Sequence, residues 1–169
     1  MEHPHEVQSA VLKELIQSTK HTEWGRNHDF KSVKNQADFA ERVPVQDYES
    51  LKPFIERMML GESDVLWSGK VKWFAKSSGT TSDKSKYIPV SKTNLKKCHI
   101  RGTWDTMNLF YHNRPNARQF ECKSLLMGGS LDSFDAHPDT LVGDVSAIMM
   151  ENMPYIGRPF FTPDIETAT

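Results

Sequence analysis

Residues 71–90 read VKWFAKSSGTTSDKSKYIPV and are the most informative stretch of the chain. Both of its ends are rich in aromatic and β-branched residues, which favour strands, so we predict strands over Val71–Ala75 and Tyr87–Val90. The segment between them, Lys76–Lys86, contains no apolar side chain and therefore cannot belong to a core. The stretch is thus predicted to form two strands joined by a polar loop.

The polar loop has the composition of an anion-binding site. Ser77–Lys86 reads SSGTTSDKSK, in which hydroxyl residues surround Gly79 and two lysines. Glycine lets the backbone approach a ligand closely, and successive backbone N–H groups in such a turn can bind an anion. The loop is not a Walker P-loop, because Lys84 stands where G-x-x-x-x-G-K-[ST] requires its second glycine.

The charge around the loop also favours an anionic ligand. Eight lysines and a single acid, Asp83, lie between Lys70 and Lys97, although the whole chain carries a net charge of only -1. Such a cationic stretch attracts anions, and the alternative is a solvated lysine-rich face. We expect no nucleic-acid partner, because the pI is near 6.7 and no nucleic-acid-binding motif is present.

Apolar periodicity outside this stretch predicts several helices. Helices are expected over Glu6–Lys20, from Ser50 as N-cap through Met59, and from Ser91 or Thr93 to Tyr111. Gly102 inside the last of these would lower its stability by about 1 kcal/mol relative to alanine, which suggests close packing there. Shorter segments are expected at Asp38–Arg42 (helix), Ser124–Met127 (strand) and Val145–Asn152 (helix).

This order of elements predicts an α/β fold, in which amphipathic helices pack on a small, partly parallel sheet. We expect residues 1–169 to form a single partial domain. Residues 1–69 would be a mainly helical lead-in, residues 70–130 would run strand, phosphate loop, strand, helix, strand, and residues 131–169 would be rich in loops.

Three stretches carry a resemblance to a known family. SSGTTSDKSKYIPVS resembles the phosphate-binding motif of the acyl-acid-amido synthetases, the auxin-responsive promoter family of plants and its bacterial homologues, within the acyl-adenylate-forming superfamily. RVPVQDYESLKPFIERMMLGE and TEWGRNHDF resemble stretches that the family carries upstream of that motif. The resemblance covers most of residues 6–130 and implies the N-terminal fragment of an adenylate-forming large domain. Asp83 departs from the glycine of many members.

The resemblance implies a ligase that uses ATP and Mg²⁺. Such an enzyme activates a small carboxylic acid as an acyl-adenylate and then forms an amide with an amino acid or other amine. The acid supplies the nucleophile, so no catalytic residue is assigned. The residues expected to bind the phosphates of ATP are Ser77, Ser78, Gly79, Thr80, Thr81, Lys84 and Lys86.

Two further expectations concern the substrate and the length of the chain. Trp104 or Met107 would line the acyl pocket, the alternative being that both are core residues. The chain is expected to be incomplete and inactive alone, because family members are several times longer. The alternative function is a non-catalytic binding or scaffold domain that retains a phosphate-binding turn.

The remaining composition predicts a cytoplasmic protein without a membrane span or a protein-bound metal. Cys98 and Cys122 are too few for a disulfide framework, the amino terminus is polar, and no long apolar run occurs. His3 and His5 lack further ligands, and adjacent residues such as Cys98 and His99 point different ways on a helix. Asp132, Asp135 and His137 are expected to form a solvated turn rather than a metal site.

Overall fold

The computed structural model describes residues 3–77 and 85–163, and it divides the chain into two compact units, Met1–Val71 and Lys72–Thr169. Compact units need not fold independently. The expectation of a single partial domain therefore stays a prediction, and each unit is described by itself.

The first unit is helical, as predicted. Its four helices are joined by short connections, one of which contains the 3₁₀ turn Phe30–Ser32. The helices are α1 (Pro4–Thr19), α2 (Glu23–Asn27), α3 (Gln36–Arg42) and α4 (Tyr48–Met59).

The TEWGRNHDF stretch owes its form to a tight turn at the start of α2. The hydroxyl of Thr22, which is fully buried, accepts a hydrogen bond from the Gly25 N–H at 3.0 Å and donates to the Thr19 carbonyl at 2.7 Å. A Cβ at Gly25 would lie 2.2 Å from that same carbonyl oxygen. The turn therefore requires a hydroxyl residue and a glycine three positions apart.

Helix α4 begins earlier than the sequence predicts. Asp47, not Ser50, is its N-cap, and the two residues form a capping box in which Asp47 accepts from the Ser50 N–H at 2.9 Å. The expected cap at Ser50 is wrong because Ser50 occupies the third helical position, where its hydroxyl bonds back to Asp47 N–H at 3.2 Å. Ile55, Met58 and Met59 are the buried residues of the helix.

The second unit is built on a mixed sheet of four strands in the order β2-β1-β5-β4. Strand β1 pairs antiparallel with β2 and parallel with β5, whereas β4 and β5 are antiparallel. The predicted α/β class with a small, partly parallel sheet is thereby confirmed. The four strands are β1 (Trp73–Lys76), β2 (Tyr87–Val90), β4 (Leu131–Phe134) and β5 (His137–Gly143). A separate parallel pair joins β3 (Ser124–Leu125) to β6 (Phe161–Thr162).

The segment 131–143, predicted to be loop, forms the two strands β4 and β5 instead. The polar composition of the segment gave no strand signal in the sequence, because β4 is an edge strand with no fully buried side chain. Strand β5 is ordered by long-range pairing, in which Val142 lies opposite Phe74 of β1. Such pairing overrides local propensity.

The predicted long helix runs from Lys92 to Asn113 in three segments. A single turn, α5 (Lys92–Asn94), is capped by the Ser91 hydroxyl, which accepts from the Asn94 N–H at 3.1 Å. A π-helical stretch (Leu95–Ile100) follows, and α6 (Arg101–Asn113) completes the helix.

Leu95 joins the core of the second unit, together with residues of β1 and β2 and of helix α7 (Val145–Glu151). One buried cluster of that core consists of Trp73, Ala75, Val90, Leu95 and Ile148. Across the ranges 3–77 and 85–163, no helix has the length and apolar character needed to cross a bilayer.

Candidate phosphate-binding hairpin

The predicted phosphate loop is the connection of a β-hairpin. Strands β1 and β2 are antiparallel, and their last paired residues are Lys76 and Tyr87. The chain therefore leaves the sheet after Lys76 and re-enters it at Tyr87, at the same end of the two strands. A strand–loop–strand arrangement of this kind was the sequence-based expectation. The paired strands β1 and β2, which we call the stem of the hairpin, confirm it.

The first and last residues of the loop, Ser77 and Lys86, form the closing pair of the hairpin. The Ser77 N–H donates to the Lys86 carbonyl at 2.9 Å. In return, the Lys86 N–H donates to the Ser77 hydroxyl oxygen at 3.3 Å. A side-chain oxygen thus takes the place that a backbone carbonyl has in a regular antiparallel pair.

Among the residues that the structure describes, the Ser77 hydroxyl only accepts a hydrogen bond, so its proton remains a donor that a ligand could use. A serine hydroxyl has one O–H donor and two acceptor lone pairs, and the Lys86 N–H uses a lone pair only. An accepted hydrogen bond also polarises the hydroxyl, which strengthens its donor character. Ser77 is half-buried, so its hydroxyl sits at the border between the stem and solvent.

Of the seven predicted phosphate-binding residues, the structure brings Ser77 and Lys86 together. Lys86 is exposed and begins the return into β2. The other five lie outside the described residues: Ser78, Gly79, Thr80, Thr81 and Lys84. Their phosphate-binding roles stay predictions.

The stem is anchored by an acidic residue that sequence reasoning missed. Glu151, the last residue of α7, accepts a hydrogen bond from the Trp73 indole N–H at 2.5 Å and pairs with Lys72 at 3.4 Å. The Lys72 ammonium also lies 5.3 Å from the centre of the Trp73 ring. A carboxylate at a helix C-terminus is unfavourable because it opposes the helix dipole. An acid at the end of a predicted helix is therefore a sequence signal for a specific partner that offsets this cost.

The residues expected to line an acyl pocket lie on a helix with no buried side chain. Trp104 is 46% exposed and Met107 is half-buried on α6. The alternative reading of Trp104 as a core residue is wrong, because α6 lies at the surface of its unit along its whole length. The pocket assignment stays a prediction.

No group of three or more potential metal ligands (His, Cys, Asp or Glu) occurs in the ranges 3–77 and 85–163. Magnesium commonly uses only one or two carboxylates together with substrate phosphates.

The fold and the hairpin define an α/β protein in which two strands of a mixed sheet hold the two ends, Ser77 and Lys86, of a sequence rich in hydroxyl residues and lysine. The chain belongs to the GH3 family, since the model of the GH3 family N-terminal domain matches residues 1–169. The resemblance stated from the loop and its two upstream stretches is confirmed.

The amido synthetases that this chain matches are much longer than the chain itself. The indole-3-acetic acid-amido synthetase GH3.2 of Arabidopsis thaliana is 36% identical over 93 residues, which are 54% of this chain and 17% of that protein. The solved structure of the GH3.15 acyl acid amido synthetase superposes with a TM-score of 0.74 at 18% identity, over 97% of this chain and 28% of that one. A second structure, AtGH3.15 in complex with 2,4-DB, gives the same TM-score at 21% identity over 89% of this chain and 26% of that one.

Proposed function

We propose that this chain supplies the phosphate-binding part of an ATP-dependent acyl acid amido synthetase. The observation that carries the proposal is the hairpin closed by Ser77 and Lys86, which holds both ends of the SSGTTSDKSK loop at one end of strands β1 and β2. The relatives' names support the reaction class.

The proposed reaction has two steps. The carboxylate of a small acid attacks the α-phosphorus of ATP and pyrophosphate leaves, and the amine of an amino acid then attacks the acyl-adenylate, which gives an amide and AMP. No protein nucleophile is needed, so the protein acts mainly by positioning and by stabilising the charge that develops on phosphate oxygens. Mg²⁺ would accompany the triphosphate and share that charge. We further propose a cytoplasmic setting, without a membrane or nucleic-acid partner.

The chain's own residues divide this work. Ser77 donates its hydroxyl proton to a phosphate oxygen, while the hydrogen bond from the Lys86 backbone N–H holds the Ser77 hydroxyl oxygen in place. The ammonium groups of Lys84 and Lys86 neutralise the leaving pyrophosphate. Gly79 lets the backbone N–H groups approach the phosphates, and the hydroxyls of the loop add hydrogen bonds; these residues are Ser78, Thr80 and Thr81.

Helix α6 is proposed to supply the acyl side of the site through Trp104 and Met107. The exposure of Trp104 supports this role, because a core residue would be unable to meet a substrate. The acid that the solved relative holds is 2,4-DB. The acid and the amine used by this protein are proposed only as a small carboxylic acid and an amino acid.

The loop is tested by binding of pyrophosphate and of Mg–ATP to the full chain, measured by calorimetry. Lys86→Ala should weaken pyrophosphate binding about tenfold, because a hydrogen bond to a charged group contributes about 1.5–3 kcal/mol. Ser77→Ala should also weaken it, whereas Ser77→Thr keeps the hydroxyl and should restore most of the affinity. Lys31→Ala, which removes an exposed lysine of the first unit, is the matched control.

Equal affinities in all four variants would remove the hairpin from phosphate binding. Binding that follows the predicted order without ATP–pyrophosphate exchange in a longer form of the protein, across a panel of aryl and alkyl acids, would favour the non-catalytic alternative. Exchange that depends on both an acid and Lys86 would support the ligase.

A further inference from the structure

The carboxylate of Glu151 contacts two consecutive residues at the start of the hairpin stem. One oxygen accepts a hydrogen bond from the Trp73 indole N–H at 2.5 Å, and the other lies 3.4 Å from the Lys72 ammonium. Trp73 is 6% exposed and belongs to the same buried cluster as Ile148 of α7. The indole N–H is the sole hydrogen-bond donor of a tryptophan side chain. This contact therefore uses that donor to tie the end of α7 to the first residue of β1.

The position of β1 along its own axis depends on contacts of this kind. Strand β1 pairs with β5 from Trp73–Leu141 to Ala75–Gly143. Because side chains alternate with a period of two, a shift of two residues keeps every side chain on its original face. The backbone ladder alone therefore distinguishes such registers weakly. A directed hydrogen bond from one indole to one carboxylate does not repeat along the strand, so it favours a single register.

A movement of β1 would reach the end of the hairpin. Strand β2 lies at the edge of the four-stranded sheet, beside β1. The Ser77 N–H donates to the Lys86 carbonyl at 2.9 Å, so this closing pair continues the ladder of β1 and β2 directly. Ser77 lies four residues beyond Trp73, a distance of about 13 Å in an extended strand. Glu151 is thus too far away to contact a ligand held by Ser77 and Lys86.

From these contacts we propose that Glu151 is a positioning residue for the closing pair Ser77–Lys86. By holding the Trp73 indole, it fixes β1 along its axis and so places both ends of the loop. The ion pair with Lys72 contributes little, because the Lys72 side chain is 46% exposed. The consequence for phosphate binding rests on the proposed function, whereas the consequence for the stem does not.

The effect on binding is tested by calorimetric titration of the full chain with pyrophosphate. Glu151→Ala should weaken binding about tenfold, because it removes a hydrogen bond to a charged group. Glu151→Gln keeps an oxygen that accepts from the indole and should restore most of the affinity. Lys72→Met removes the exposed ion pair alone and should change the affinity by less than about threefold.

Two further variants separate positioning from stability. Trp73→Phe removes the same hydrogen bond from the donor side, so its effect should not add to that of Glu151→Ala. Ile148→Val loosens the same buried cluster without removing the anchor and is the matched control. It should lower the melting temperature but leave the affinity unchanged well below that temperature. Affinities that follow the melting temperature in all variants would overturn the proposal, since they would reduce Glu151 to a structural role.

The effect on the stem is tested without any ligand, by hydrogen exchange of single amides followed by NMR. The amides of interest are those of Ser77 and Lys86, which close the hairpin at 2.9 and 3.3 Å. Glu151→Ala should speed their exchange at least about fivefold relative to Ile148→Val, because local opening becomes more frequent once β1 is released. Glu151→Gln should exchange at nearly the rate of the unsubstituted chain.

Unchanged exchange of both amides in Glu151→Ala would overturn the proposal, whatever the affinity. The proposed function fails in a different way. In that case Ser77→Ala and Lys86→Ala would leave pyrophosphate binding unchanged, while faster exchange in Glu151→Ala would still support the positioning of the closing pair.

Discussion

Helix α4 buries Ile55, Met58 and Met59, whereas α6, of nearly equal length, buries no side chain at all. Both carry apolar residues at helical spacing. In α4, Met58 is 1% exposed and Met59 is 2% exposed, and the helix begins with a capping box. In α6, Leu109 is 63% exposed, and the helix continues directly from the π-helical stretch before it.

The comparison shows that a helix can carry an apolar stripe without burying it. Periodicity predicts where such a stripe lies on a helix, but the stripe contributes to stability only where other side chains cover it. Helix α4 thus stabilises its unit, while α6 presents apolar surface. A surface of that kind is suited to contact with ligands or further protein.

The largest expected effect contrasts one side chain from each helix. Met58→Ala should lower the free energy of unfolding by about 2–5 kcal/mol, because it removes a buried side chain and leaves a cavity. Leu109→Ala should change it by less than about 0.5 kcal/mol, since its side chain is already largely in water. Urea unfolding of the two variants, followed by circular dichroism, measures both. Equal losses would show that α6 is covered in solution and that the two helices do not differ in burial.

A smaller effect contrasts two glycines. A Cβ at Gly25 would lie 2.2 Å from the Thr19 carbonyl oxygen, whereas one at Gly102 would meet nothing within 4 Å. Gly25→Ala should therefore destabilise by about 1–3 kcal/mol through overpacking. Gly102→Ala should stabilise by about 1 kcal/mol through helix propensity.

The same two glycines test the sequence-based reading. Close packing at Gly102 was the expectation, and the open space around it shows that this expectation is wrong. Melting temperatures that move in opposite directions for the two variants would confirm the structural account. A fall in both would mean that α6 is packed against something at Gly102.

Sequence alone predicted the features that depend on local pattern. The helices α1, α3 and α4, the strands β1 and β2, and the cap at Ser91 all follow from periodicity, composition or capping within a few residues. The loop sequence also carried the resemblance that the family match confirmed.

Features that depend on distant partners escaped sequence analysis. Strand β5 exists because β1 pairs with it, and the anchoring of Trp73 by Glu151 joins residues far apart in the chain. The π-helical stretch Leu95–Ile100 left no local signal, because its residues suit an α-helix equally well. The exposure of α6 likewise depends on what lies around it rather than on its own spacing.

The smallest expected effect contrasts the ion pairs of the two helices. Arg57 of α4 donates to Glu23 of α2 at 2.6 and 3.1 Å and to Glu62 at 2.8 Å. These hydrogen bonds from the guanidinium lower the pKa of both carboxyls below their ordinary value of 4.5. In α6, Arg101 pairs with Asp105, one turn away at 3.6 Å, and both are exposed.

The pH dependence follows from the direction of those shifts. A carboxyl whose pKa is lower in the folded state stabilises the fold above its unfolded pKa, and this stabilisation is lost as the pH falls through the folded pKa. The melting temperature should therefore decrease below about pH 4.5. Arg57→Gln should lower the melting temperature near pH 7 and flatten its decrease in acid, whereas Arg101→Gln should change neither, since a single exposed i, i+4 pair contributes only about 0.3–0.5 kcal/mol. If both substitutions reduced the decrease in melting temperature at acid pH equally, the bridging of Glu23 and Glu62 by Arg57 would not distinguish α4 from α6.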